Sequence, residues 1–256
     1  MCTVVILRRP DHRWPLVLAA NRDEMIDRPW KPPARHWSER PDVIAGLDEL
    51  GGGTWLGLND FGVVAAVLNR LNTLGPAPGL RSRGELPLEA LDHAEARAAA
   101  EAIADIDPRA YRPFNMIVGD CREAFWIRVR HGGNGRSAGG TVDVSELPPG
   151  LSMITAYDRN DTNSPRIRRY LPRFEAAQAP DPATDDWAAW KALLASGEHD
   201  PGAGPGGAVW VATDTGFGTV SSSLIALPAA GRSEMKPVWL FAPDNPGERN
   251  YAPVCM

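Results

Sequence analysis

The chain has 256 residues, 43% of them hydrophobic and 23% charged, with a formal charge of −5. These values suit a globular protein large enough to bury a core without disulfides, and the acidic balance excludes a general nucleic-acid binder, whose phosphate contacts need excess lysine and arginine. Cys2, Cys121 and Cys255 are an odd number, widely spaced, without a CxxC or Cys/His cluster, which fits a reducing compartment and neither a disulfide framework nor a zinc site.

The elements, taken in chain order, begin with strands. Thr3 to Arg8 is an apolar, β-branched run, and Leu16 to Ala20 is a second, joined through Pro10, Asp11 and Pro15. The first run is too short for a signal peptide, which needs roughly 7–15 apolar residues, or for a membrane span of about 20. No membrane span and a cytoplasmic location are therefore expected. Asp27 to Asp42, with Pro29, Pro32, Pro33 and Pro41 around Trp30 and Trp37, reads as an ordered loop. Gly53 to Leu58 and Phe61 to Leu68 form a hairpin turning at Asn59-Asp60.

Leu88, Leu91, Ala94, Ala98, Ala102 and Ile106 recur at helical spacing and predict one helix from Leu86 to Ile106. Strands return at Phe114 to Val118 and Ala124 to Val129, followed by a glycine-rich loop over His131 to Gly140. Ser164-Pro165 is an N-cap followed by an N1 proline, opening a helix through Phe174. Its Arg166, Arg168, Arg169 and Arg173 read as a solvated face rather than an anion site. Trp187 to Leu194 is a shorter helix, and Asp200 to Gly207 a loop. Ala208 to Ala212, Gly218 to Leu227 and Val238 to Phe241 are the last strands.

Hairpins of strands with helices inserted between groups suggest an α+β layered domain over residues 1–256. Val4 and Ile6 point to one face of the first strand, Val5 and Leu7 to the other, so both faces need cover. If the first connection is centred between His12 and Arg13, paired residues sum to 25 and Cys2 lies opposite Asp23. Cross-strand neighbours on one face have Cβ atoms only about 5 Å apart. A thiol would then sit among Asn21, Arg22, Asp23 and Glu24. Were Met1 removed, Cys2 would also carry a free α-amine, whose ordinary pKa of about 7.7–8.0 suits a general base. One residue would supply nucleophile and base together. The bland alternative is an inert small hydrophobe beside a charged surface turn.

Cys2-Thr3 and Asn21-Arg22-Asp23-Glu24 resemble the opening motifs of the NRDE family, which includes transport and Golgi organisation protein 2. The Gly52–Asn59 and Gly62–Asn69 segments, Ser82-Arg83-Gly84, Phe114-Asn115 and Val118-Gly119-Asp120 resemble its other blocks. That family is similar to N-terminal-nucleophile (Ntn) hydrolases of the choloylglycine hydrolase and penicillin V acylase type. The resemblance implies a four-layer αββα sandwich and a hydrolase of small linear amides or acyl compounds working through a thioester. It implies Cys2 as nucleophile, Asp23 as the carboxylate beside it and Asn69 as oxyanion donor, an interaction worth about 3–4 kcal/mol in comparable sites. Asn21, Arg22 and Glu24 support them. The chain departs from the pattern where Ala20 replaces an arginine, where Met153 stands in place of an asparagine, and at Val220 and Leu224, where an arginine is usual. The competing reading is a non-catalytic haem- or acyl-handling protein with Cys2 as a thiolate ligand; otherwise no cofactor or metal is expected.

Overall fold

The structure, a computed structural model, describes residues 2–130, 140–231, 234–243 and 251–256. In chain order the strands are β1 (Thr3–Arg8), β2 (Leu16–Met25), β3 (Trp30–Ala34), β4 (Val43–Asp48), β5 (Leu56–Asn59), β6 (Val64–Asn69), β7 (Phe114–Gly119), β8 (Ala124–Arg130), β9 (Thr141–Glu146), β10 (Gly150–Ile154), β11 (Phe217–Leu227), β12 (Val238–Pro243) and β13 (Ala252–Pro253). The helices are α1 (Glu85–Leu91), α2 (Ala96–Ala104), α3 (Pro165–Ala176) and α4 (Ala188–Leu194). The order is α+β, as expected. The glycine loop expected over His131 to Gly140 lies, but for Gly140, outside the described residues.

Two compact units form, Met1–Arg28 with Pro149–Val254, and Pro29–Pro148 with Cys255–Met256. In the first, an antiparallel sheet of order β10-β1-β2-β11-β12-β13 carries α3 and α4. Strand alternation makes the core: Val5, Val17, Ala19, Leu224 and Ala226 meet Ile167, Tyr170 and Phe174 of α3 and Trp190 and Leu194 of α4. Val4, Ile6 and Leu18, on the opposite face, are equally buried, as a strand apolar on both sides requires. Ser164 caps α3 by accepting from the Ile167 amide, with Pro165 in its first turn.

The second unit is an antiparallel meander of order β3-β4-β5-β6-β7-β8-β9, with α1 and α2 packed on one face. Here two expectations fail. Trp30 to Ala34, read as loop, is the edge strand β3; its prolines break the register between Lys31 and Ala34, and an edge tolerates them because one side needs no ladder donors. The single helix over Leu86 to Ile106 is two helices. Asn59 donates through Nδ2 to the Leu91 and His93 carbonyls at 2.8 and 2.7 Å, closing α1. Asp120 then starts α2 by accepting from the Ala96 amide at 2.9 Å. Strands β4, β9 and β10 carry no sequence expectation, and Ala208 to Ala212 makes only an isolated bridge, Ala212 to Gly218.

Gly53 and Gly84 touch backbone to backbone. A Cβ on Gly53 would lie 2.3 Å from the Gly84 carbonyl carbon, and the Thr54 amide donates to the Gly84 carbonyl at 2.8 Å. Among the described residues no helix is long and apolar enough to cross a membrane.

Candidate active site at the head of the first strand

The β1–β2 register decides what surrounds Cys2. Thr3 pairs with Asn21 and Arg8 with Leu16, so pair numbers sum to 24 and not 25. The connection is of odd length and centred on His12: the Arg9 amide donates to Pro15 O at 2.7 Å, and the His12 amide to Arg9 O at 2.8 Å. One residue of slip turns a strand over. Cys2 therefore falls one step beyond the Thr3–Asn21 pair, on the face of Ala20 and Arg22, while the Asp23 side chain shares the helix-facing side with Thr3 and Asn21. The thiol meets Asp23 through its backbone instead: Cys2 Sγ–H donates to the Asp23 carbonyl at 3.7 Å.

On the helix-facing side Asp23 is 1% exposed and fully engaged. Its Oδ2 accepts from Arg166 Nη1 at 3.0 Å, and its Oδ1 from Thr219 Oγ1 at 2.7 Å. The same Arg166 nitrogen donates to Thr3 Oγ1 at 2.7 Å, and Nη2 donates to Gly206 O at 3.1 Å. Thr219 reaches Asp23 because the β2–β11 ladder is bulged between Thr219 and Ser221. Without that extra residue, Val220, alternation would aim Thr219 at the other face. Asn21 is also consumed structurally. Its Nδ2 donates to Leu194 O and Val209 O at 2.9 and 3.0 Å, and its Oδ1 accepts from Ser222 Oγ at 2.6 Å.

The face of Cys2 is polar at this strand end, with Arg22 paired across the sheet to Ser221 and Ala20 to Ser223. Arg22, Ser221 and Ser223 are buried, and Cys2 is half-buried. Burial first, and then the Asp23 charge, push the Cys2 thiol above its ordinary value, against the opposing pull of the N-terminal ammonium, the Asp23 carbonyl bond and Arg22. Glu24 stands at the margin, held by Arg28 at 3.7 Å. Cys121 is half-buried and Cys255 exposed, both unbridged.

Arg166 is the residue that sequence reasoning missed. It is 1% exposed, so the arginine run is a solvated face only in part: Arg168, Arg169 and Arg173 pair with Glu198 and Asp200 at the surface. A signal was available, since Arg166, Tyr170 and Phe174 lie at spacings of four, which puts Arg166 on the apolar stripe.

Residues 1–185 match the family described as Transport and Golgi organisation 2. The chain belongs to that family. A human Transport and Golgi organization protein 2 homolog is 35% identical over 142 residues, covering 53% of this chain and 48% of its own. The mouse homolog is 37% identical over 108 residues, covering 41% of this chain and 38% of its own, so the chain spans less than half of these relatives' length. Among solved structures it is similar to a Caenorhabditis elegans N-acylethanolamine-hydrolyzing acid amidase ortholog, with a TM-score of 0.58, 14% identity, and coverage of 91% of this chain and 95% of that one. It is also similar to the penicillin V acylase of Agrobacterium tumefaciens, with a TM-score of 0.56, 12% identity, and coverage of 95% and 83%. The fold is that of the Ntn hydrolases.

The Transport and Golgi organisation 2 motifs of this chain divide by what they touch. Asn21, Asn59, Asp120, Gly53 and Gly84 are tied into backbone. Asn69 ends β6 in the second unit, paired with Phe114 and half-buried. Its neighbour Arg70 donates to Asn115 Oδ1 at 2.6 Å. Met153 is fully buried in the core beneath α3 and α4. Asn160 grips its backbone, with Oδ1 accepting from the Met153 amide at 2.7 Å and its own amide donating to Met153 O at 2.9 Å. Ala20, Val220 and Leu224, the other departures, are likewise buried apolar positions.

Proposed function

We propose that the protein is an Ntn-type amidohydrolase of small linear amides or related acyl compounds, with Cys2 as nucleophile once Met1 is removed. The observation that carries this reading is the seat of Cys2. Its thiol lies at the head of β1, bonded to the carbonyl of Asp23, a residue anchored on its other side by buried Arg166 and Thr219. A nucleophile on a strand end braced this way is held in one place at little further entropic cost.

In the proposed cycle Cys2 sulfur attacks the substrate carbonyl carbon and the thiol proton passes to the Cys2 α-amine. The C–N bond breaks, the leaving amine takes that proton, and a thioester remains on Cys2. Water then attacks the thioester, giving a proton to the α-amine; the C–S bond breaks, the acid leaves, and the thiol is restored.

Removal of Met1 is expected to favour the reactive form of Cys2. Burial and Asp23 both raise the thiol and so disfavour its thiolate. An α-ammonium on Cys2 itself stabilises the thiolate and lowers that value. Treatment of Met1-bearing protein with methionine aminopeptidase is therefore expected to speed iodoacetamide alkylation of Cys2 at about pH 7.5 by roughly 3–10-fold, with Cys121 and Cys255 unchanged on peptide mapping. Equal Cys2 rates before and after treatment would remove the self-contained nucleophile and base.

A further inference from the structure

Arg166 joins the two strands that hold the thiol. One guanidinium nitrogen, Nη1, lies 2.7 Å from Thr3 Oγ1 on β1 and 3.0 Å from Asp23 Oδ2 on β2. Thr3 is the residue after Cys2, and Asp23 supplies the carbonyl that accepts the thiol hydrogen bond. The other nitrogen, Nη2, ties the same group to Gly206 O at 3.1 Å. The position is built for this reach. Ser164 and Pro165 fix the first turn of α3, and Ile167, Tyr170 and Phe174 seat that helix on the sheet. A helix packed this firmly carries its arginine to a defined point at the strand ends.

We infer that Arg166 is a positioning residue for the Cys2 nucleophile, clamping β1 to β2 beneath the thiol and balancing the charge of Asp23. The inference rests on the reading of Cys2 as nucleophile and adds to it a residue outside the motifs that suggested that reading. Two effects separate it from a purely structural ion pair. First, the Arg166 cation offsets the carboxylate that disfavours thiolate on Cys2, so its loss raises the pH needed to ionise the thiol. Second, the bond to Thr3 restrains the residue next to Cys2, so its loss frees the sulfur from the Asp23 carbonyl. The charged groups along the strand end are Asp23 and Arg22 on β2 with Glu24 beyond them, Glu24 being engaged by Arg28. Arg166 enters from α3, and β11 contributes the neutral Ser221 and Thr219.

The test follows iodoacetamide alkylation of each cysteine over about pH 6 to 10 in the mature protein and in R166M, R166K and T3V, with folding checked by circular dichroism. In R166M the Cys2 midpoint is expected to rise by about half a pH unit or more, whereas R166K, which keeps the cation, stays within about 0.2 of wild type. T3V strands no charge and leaves the midpoint in place, but its fully ionised Cys2 reacts about threefold faster, because the freed thiolate is more accessible. Should R166M be recovered unfolded, T3V carries the test alone: a Cys2 rate equal to wild type overturns the inference. So does a folded R166M with wild-type midpoint and rate. A wild type whose Cys2 reacts no faster than Cys121 removes the nucleophile reading and the inference with it. A reactive wild type matched by its variants removes only the inference.

Discussion

Arg166→Met lowers the stability of the folded protein by about 3–5 kcal/mol, seen as a fall of roughly 6–20 °C in thermal midpoint. The magnitude follows from burial. Arg166 and Asp23 side chains are 1% and 0% exposed, and their contact is 3.0 Å long. Removing one partner leaves a carboxylate in a low-dielectric interior without its counter-ion, although Thr219 still bonds it. The pair itself contributes far less than that loss, because most of its attraction offsets desolvation of the two ions. The double variant Asp23→Leu/Arg166→Met is accordingly expected to recover most of the lost stability while losing the seat of Cys2. Arg168→Met, two residues away, barely moves the midpoint, since its contact with Asp200 is 3.6 Å long and half exposed. A similar fall for Arg166→Met and Arg168→Met would contradict the buried-clamp geometry.

Cys2→Ala is expected to abolish hydrolysis of a responsive N-acyl amide, by at least about 10³-fold in kcat/KM, because it removes the attacking sulfur of the proposed cycle. The fold survives the change: Cys2 is half-buried, precedes β1 and is absent from the core beneath α3 and α4. Cys121→Ala and Cys255→Ala keep wild-type rates, so the three single variants read as one comparison by release of free amine. Retained hydrolysis in Cys2→Ala would assign the chemistry elsewhere.

The elements that local chemistry controls were legible in the amino-acid order. The apolar, β-branched run of Thr3 to Arg8 marked β1, and Ser164-Pro165 marked the start of α3. Readings that depend on distant partners were not. The length of the Arg9–Pro15 turn sets the β1–β2 register, and one residue of ambiguity there moved Asp23's carboxylate to the other face of the sheet. Periodicity ran Leu86 to Ile106 together because nothing local announces that Asn59 and Asp120 divide it from outside. The β-bulge at Val220 is similarly silent, since it serves a carboxylate on another strand. Arg166 was visible as a charge on an apolar stripe, but its partner stands 143 positions away.

Intact-mass analysis of the purified protein, before and after an acid-quenched reaction with an N-acyl amide, bears most directly on whether the N-terminal thiol is the nucleophile. The expected spectrum shows a chain beginning at Cys2 and, after reaction, one acyl group that peptide mapping places on that residue. A hydrolysing protein that still carries Met1, or whose acyl group maps to Cys121 or Cys255, would contradict it.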